Sequence, residues 1–141
     1  MPSALTPYLN FRGQARDAME FYRDALGGEL TLSTFGDFGM PVDASESGLI
    51  MHGQLSTPAG FLLMGSDTPS HMEYRPGVHT FSVSLSGDDE TELRGYWDAL
   101  AIGAEIGQPL EAAPWGDAFG MLVDRFGVSW LVNIAGARPA E

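Results

Sequence analysis

The alternation of apolar and polar positions sets the first expectations. From Thr6 to Phe11, Pro7, Leu9 and Phe11 alternate with Thr6, Tyr8 and Asn10, the two-residue period of a strand with one buried face. The period then changes. In ARDAMEFYRDALGG, Ala18, Phe21, Tyr22 and Ala25 fall at i, i+3, i+4 and i+7, with Ala15, Met19 and Leu26 beside them. That spacing predicts an amphipathic helix, and Gly27 and Gly28 supply its stop. Three apolar stretches follow, ELTLSTF, LIMHGQL and GFLLMG, separated by GDFGMPVDASESG and STPAG, whose Gly and Pro mark loops.

Beyond a further loop, SDTPSHMEYRPG, the order starts again. Phe81, Val83 and Leu85 alternate with Thr80, Ser82 and Ser84, and DDETELRGYWDALAIG sets Leu93, Tyr96, Trp97 and Leu100 on one helical face. Asp89 and Glu92 have the spacing of a capping pair at the start of this helix. AEIGQPL, FGMLVD and GVSWLVNI complete the chain. The pairs Phe21-Tyr22 and Tyr96-Trp97 occupy equivalent places and read as ordinary core residues. Two copies of strand, helix, strand, strand, strand predict an internal duplication. The expected fold is α+β, with tandem βαβββ modules over about residues 5–66 and 77–135 of a single domain spanning 1–141. A helix covering one face of each module leaves the other face to form a curved sheet around a ligand cup.

Composition narrows the function classes. Nineteen Asp and Glu against seven basic residues, all Arg, give a net charge of −12. Such a surface repels phosphate backbones and anionic lipid, and no Arg cluster offsets it. Neither nucleic acid nor membrane is expected as a partner. The absence of Cys removes disulfides, thiolate metal sites and Cys nucleophiles together. Apolar runs of only a few residues, and a start without a signal-peptide pattern, predict a soluble cytoplasmic protein.

PYLNFRGQARDAMEFYRDALGGEL and the later PWGDAFGMLVDRFGVSWLVN together resemble the PhnB-like branch of the vicinal oxygen chelate superfamily, which also holds glyoxalase I, bleomycin-resistance proteins and extradiol dioxygenases. The likeness runs from about Leu5 to Ile134. It implies two βαβββ modules around a small-molecule cup, commonly in a homodimer. In metal-dependent members four side chains, usually His and Glu, reach into the cup from the first and fourth strands of each module. Labels carried by some members, DNA-binding and demethylubiquinone methyltransferase, find no support in the acidic charge or in any Gly-rich cofactor-binding turn.

Because a strand alternates faces, the four ligand slots can be located in this chain. Thr6 and Thr80 take the first-strand slots, Leu63 or Met64 the fourth strand of the first module, and Leu131 the last strand. Hydroxyl and apolar side chains do not replace imidazole and carboxylate donors. The expectation is therefore no metal and no other cofactor. His79 would reach its slot only if the strand shifted by one residue, burying Thr80, Ser82 and Ser84 in place of three apolar side chains at a cost of several kcal/mol.

His52 is the best catalytic candidate. It shares a strand face with Gln54 while Leu49, Met51, Gly53 and Leu55 take the other. Two readings stay open: a hydrogen-bonded structural histidine, or a ligand-orienting donor or general base. His71 falls in a loop expected at the surface. The candidate ligand-binding set is Tyr8, Asn10, His52, Gln54, Ser82, Trp115, Phe119 and Leu131, with Ser84, Ser129 and Asn133 as further polar candidates. Trp115 has a second reading as a loop anchor. Neutral donors among aromatic groups suit an uncharged or weakly polar small molecule. The leading function is small-molecule binding without the family's metal ligands, with catalysis left open. The alternatives are a metal-dependent lyase or dioxygenase of the same superfamily and a dimeric interaction domain with a filled cup.

Overall fold

A computed structural model describes residues 4–75 and 81–136. The chain divides into two compact units, Met1–Pro76 and Gly77–Glu141, and each is a βαβββ module.

In the first unit β1 (Tyr8–Phe11), α1 (Ala15–Leu26), β2 (Glu29–Thr34), β3 (Ile50–Ser56) and β4 (Leu62–Asp67) succeed one another, with two short 3-10 turns between β2 and β3. The sheet order is β1-β4-β3-β2. β1 runs parallel to β4, while β3 is antiparallel to both of its neighbours. Helix α1 lies on one face of this sheet and buries Ala15, Ala18, Met19, Tyr22 and Leu26. The strands answer with Phe11, Ile50, Leu55 and Leu63. Gly53 and Gly65 occupy that same face because Met19 leaves no space: a Cβ on Gly65 would sit 3.2 Å from the Met19 sulfur and 3.2 Å from the Leu9 carbonyl.

Two boundaries differ from the sequence expectation. β1 opens at Tyr8, so Thr6 precedes the strand, although the Pro7 carbonyl already accepts from Met64 N–H. In β3 the pairing with β2 slips between Ser33 and Thr34, so that Thr34 faces Ile50. This bulge, an extra residue on one strand, hands the core position expected for Met51 to Ile50, which is 1% exposed. The alternation of His52 and Gln54 against Gly53 and Leu55 is unaffected.

The second unit repeats the plan with β5 (Val83–Gly87), α2 (Glu90–Leu100), β6 (Glu105–Ala112), β7 (Ala118–Val123) and β8 (Ser129–Ile134), in sheet order β5-β8-β7-β6. Leu93, Trp97 and Leu100 of α2 are buried, as are Leu85, Leu122, Trp130, Val132 and Ile134 of the sheet. Gly120 makes room for Trp97, since a Cβ there would stand 2.8 Å from the indole and 2.9 Å from the Leu110 Cα. Asp89 caps α2 through Glu92 N–H at 3.1 Å. The Glu92 carboxylate accepts instead from the Tyr96 hydroxyl, at 2.6 Å.

Phe81, expected against α2, is 85% exposed. The apolar alternation begins before the strand does, and β5 starts only at Val83. Asp124-Arg125-Phe126-Gly127 forms the β7–β8 turn, closed by Gly127 N–H on the Asp124 carbonyl with Gly127 at φ 89°. Asp124, 4% exposed, also accepts from Phe126 and Val128 N–H and from the Trp130 indole at 2.8 Å. Burying a carboxylate is tolerated where several donors satisfy it.

Candidate functional site

The face of each sheet turned away from its helix carries the polar side chains. In the first unit the register places Tyr8 beside Met64, Met64 opposite Gln54 and Gln54 opposite Thr31. Asn10 lies beside Ser66, and His52 faces Ser33. Tyr8 Oη stands 3.4 Å from His52 Nδ1, a long contact whose donor depends on the imidazole tautomer. Their ring centroids are 5.9 Å apart with a 33° tilt. Asn10 is exposed, His52, Gln54 and Met64 are half-buried, and Leu63 is buried on the helix side. Of the two candidates for the fourth-strand slot, the helix-free face thus receives Met64.

Arg12 is engaged in the loop after β4. The guanidinium of Arg12 donates to the Thr68, Pro69 and Met72 carbonyls and lies over the Tyr74 ring at 5.3 Å. The loop it secures is fastened a second time by Glu46, which accepts from Ser70 N–H at 2.9 Å and Ser70 Oγ at 2.8 Å. Those Ser70 hydrogen bonds hold the Glu46 carboxyl below its ordinary pKa. His71, in the same loop, is exposed.

In the second unit Leu131 lies between Ser84 and Met121, and Asn133 between Ser86 and Phe119. Ser129, Leu131 and Asn133 are half-buried while Trp130 and Val132 are buried on the helix side. A cavity of about 120 Å³ opens on this face, lined by Ser82, Glu105, Gly107, Met121, Leu122, Val123, Ser129, Trp130 and Leu131. Trp115, 59% exposed, stands edge-on to Phe119 with ring centroids 5.7 Å apart. Asn133 is already engaged: its amide donates to Asp117, a buried carboxylate that also accepts from Gly136 N–H.

The structure therefore sets Tyr8 near His52 and Gln54, and separately Ser82 near Leu131, and Trp115 near Phe119. Sequence reasoning missed Glu105, Gln108 and Glu111. Two register irregularities in β6, between Ile106 and Gln108 and between Gln108 and Glu111, place these three opposite Val123, Met121 and Phe119. All three thus share the helix-free face at a spacing that simple alternation does not produce.

The metal slots read as follows. Met64 and Leu131 occupy helix-free positions, Thr6 precedes β1, and His79 and Thr80 lie outside the described residues. Thioether and alkyl groups do not fit a divalent ion that wants nitrogen and oxygen donors. Among the described residues no three His, Asp or Glu side chains are grouped to hold a metal.

Residues 3–133 match the family of 3-demethylubiquinone-9 3-methyltransferase. The chain belongs to this PhnB-like family. It is 37% identical to protein PA1353 from Pseudomonas aeruginosa, covering 96% of this chain and 100% of that one with a TM-score of 0.83. A PhnB protein from Bacillus cereus, described as a 3-demethylubiquinone-9 3-methyltransferase, shares 25% identity over 94% of this chain and 100% of its own, with a TM-score of 0.74. Protein YjdN of Escherichia coli K12 is 28% identical over 97% of this chain and 99% of its own length. The glyoxylase/bleomycin resistance protein/dioxygenase domain from Frankia sp. EAN1pec, at 15% identity and a TM-score of 0.63, covers 96% of this PhnB-like chain and 98% of its own. That likeness concerns the fold alone. No helix among the described residues is long and apolar enough to cross a membrane.

Proposed function

We propose that this PhnB-like protein binds a small organic molecule on the helix-free faces of its sheets, without the four metal ligands used by metal-dependent relatives. The observation that carries the reading is the placement of Tyr8, Asn10, His52 and Gln54 on one face, with Tyr8 and Gln54 on either side of Met64 and with Tyr8 Oη and His52 Nδ1 in contact. Hydrogen-bonding groups of this kind fix the orientation of a ligand while neighbouring apolar side chains exclude water. His52 orients the ligand, and in a catalytic version of the reading it accepts a proton while Tyr8 steadies its ring. Ser82, Trp115, Phe119 and Leu131 are the candidate ligand-binding residues of the second unit, taken by itself.

Methyl transfer does not come with family membership in this reading. The chain contains no Gly-rich strand-to-helix turn of the kind that cradles a nucleotide-like methyl donor. The proposal includes cytoplasmic residence and a homodimer, the common state in the wider superfamily.

Native mass spectrometry of gently purified protein, with elemental analysis of the same sample, tests the reading. The expected result is a dimer retaining a small organic ligand, with less ligand on a His52→Ala variant and no stoichiometric divalent ion. A stoichiometric ion held through His52 or His79 would overturn it. So would an activity abolished by chelator and restored by added metal.

A further inference from the structure

We infer that the helix-free face of the second unit carries a recess for the ammonium group of a small organic cation. The inference rests on reading the helix-free faces as ligand-binding surfaces, and it departs from the uncharged ligand that the neutral candidates alone suggest. The recess is the cavity of about 120 Å³, well below the several hundred Å³ that a drug-sized molecule requires. It suits one compact group. Met121, Leu131 and Val123 supply its apolar lining, the hydroxyl-bearing Ser82 and Ser129 lie along it, and Glu105 is the one charged side chain among its described lining residues.

The register explains how these groups converge. Glu105 is opposite Val123, and Val123 opposite Ser129, so carboxylate, apolar side chain and hydroxyl form one row across three strands. The adjoining row runs from Gln108 through Met121 and Leu131 to Ser84. Gly107 falls in the register irregularity of β6, between the paired residues Ile106 and Gln108. A Cβ at Gly107 would have nothing nearer than 3.7 Å, so the missing side chain leaves the recess open on that side.

Charge selects the ligand. The face carries a second carboxylate, Glu111, opposite Phe119, and neither Arg94 nor Arg125 is among the residues that line the recess. Arg94 is bound on the α2 side to Glu90 and to the Leu110 carbonyl. Arg125 lies in the β7–β8 turn over the Phe126 ring. A carboxylate beside thioether and alkyl groups favours an ammonium carrying apolar substituents and repels an anion of the same shape. The net charge of −12 raises the local concentration of such a cation.

The test uses three probes of one shape: tert-butylammonium, neutral tert-butanol and anionic pivalate. Each is titrated into the full-length protein at low salt while amide shifts are followed by NMR. Tert-butylammonium is expected to shift Ser82, Met121, Val123 and Leu131, to bind about fivefold more weakly to Glu105→Gln, and to weaken as salt is added. Glu105 is an exposed residue of an edge strand, so the variant keeps the fold, and an unchanged spectrum outside the recess verifies this. Equal binding of tert-butanol, or an unchanged affinity in Glu105→Gln, overturns the cation assignment. If tert-butanol instead shifts Tyr8, His52 and Gln54, the small-molecule reading stands and the cation inference falls. If no probe shifts any helix-free residue of either unit, both fall.

Discussion

In the first unit the start of α1 is held from across the sheet. Gln14, at the cap position, makes no side-chain capping bond. Asp67, at the end of β4 and 4% exposed, accepts from Ala15 N–H through one oxygen and from Ile50 N–H through the other, both at 3.0 Å. In the second unit α2 is capped locally by Asp89, and the buried carboxylates serve other segments: Asp124 the β7–β8 turn, and Asp117 the Asn133 amide and Gly136 N–H from a distance in sequence. Duplicated modules thus need not share their fastenings. One topology tolerates a long-range anchor or a local one, because each satisfies an orphan amide of the first helical turn, Ala15 at the start of α1 and Glu92 two residues into α2.

The sharpest way to break this comparison is Asp67→Ala against Asp89→Ala. Asp67→Ala strands two buried amides and is expected to destabilise by about 3 kcal/mol. Asp89→Ala loses one exposed cap and should cost only about 1 kcal/mol. All three tryptophans, Trp97, Trp115 and Trp130, lie in the second unit. Urea titrations followed by fluorescence therefore report that unit, while far-UV circular dichroism reports both. Equal losses for the two variants would show that the anchors are interchangeable in strength as well as in role.

Glycines beneath the helices give the next contrast. Gly120→Ala drives a methyl against the Trp97 indole and the Leu110 backbone, and should cost about 2 kcal/mol because neither neighbour yields easily. Gly65→Ala meets the flexible Met19 side chain as well as the Leu9 carbonyl, and about 1 kcal/mol is expected. The same denaturation series measures both, and a larger loss for Gly65→Ala would reverse the ranking.

The smallest effect concerns Tyr96. Burial, and then the Glu92 carboxylate beside it, push its pKa from 10.0 up to about 12. The folded state therefore holds the phenolic proton more tightly than the unfolded chain does. Its stabilising contribution is intact below pH 10 and declines as pH rises from there towards 12. Glu92→Gln should bring the Tyr96 titration back towards its ordinary range, read as phenolate absorbance against a Tyr96→Phe control. An unshifted titration in Glu92→Gln would show that the carboxylate contributes nothing.

Much of the fold was legible because a two-residue and a 3.6-residue period each reappear in the same order. The faces of Phe11, His52, Gln54, Trp130, Val132 and Leu131 followed from alternation, which needs no knowledge of neighbouring strands. What alternation could not reach was whatever another part of the chain decides. Met51 and Ile50 exchange places through a bulge set by pairing with β2. Phe81 continues an apolar pattern beyond the strand that would have buried it. Asp67 and Asp117 take their partners from distant segments, which one strand at a time does not reveal, whereas Asp124 serves the turn that follows it. For the candidate site, Tyr8, His52 and Gln54 could be read from one strand at a time, whereas Glu105 and Glu111 required the irregular register of β6.

That irregular strand has a consequence for the chain in concentrated solution. β6 is an edge strand of its sheet, and edges of regular strands recruit further strands into growing aggregates. Here Pro109 offers no N–H, the pairing is broken twice, and Glu105 and Glu111 repel their counterparts on an approaching copy. An incoming strand would have to match an uneven ladder while bringing like charges together. The distortion that gathers the acids on one face also makes this border a poor seed for fibrils.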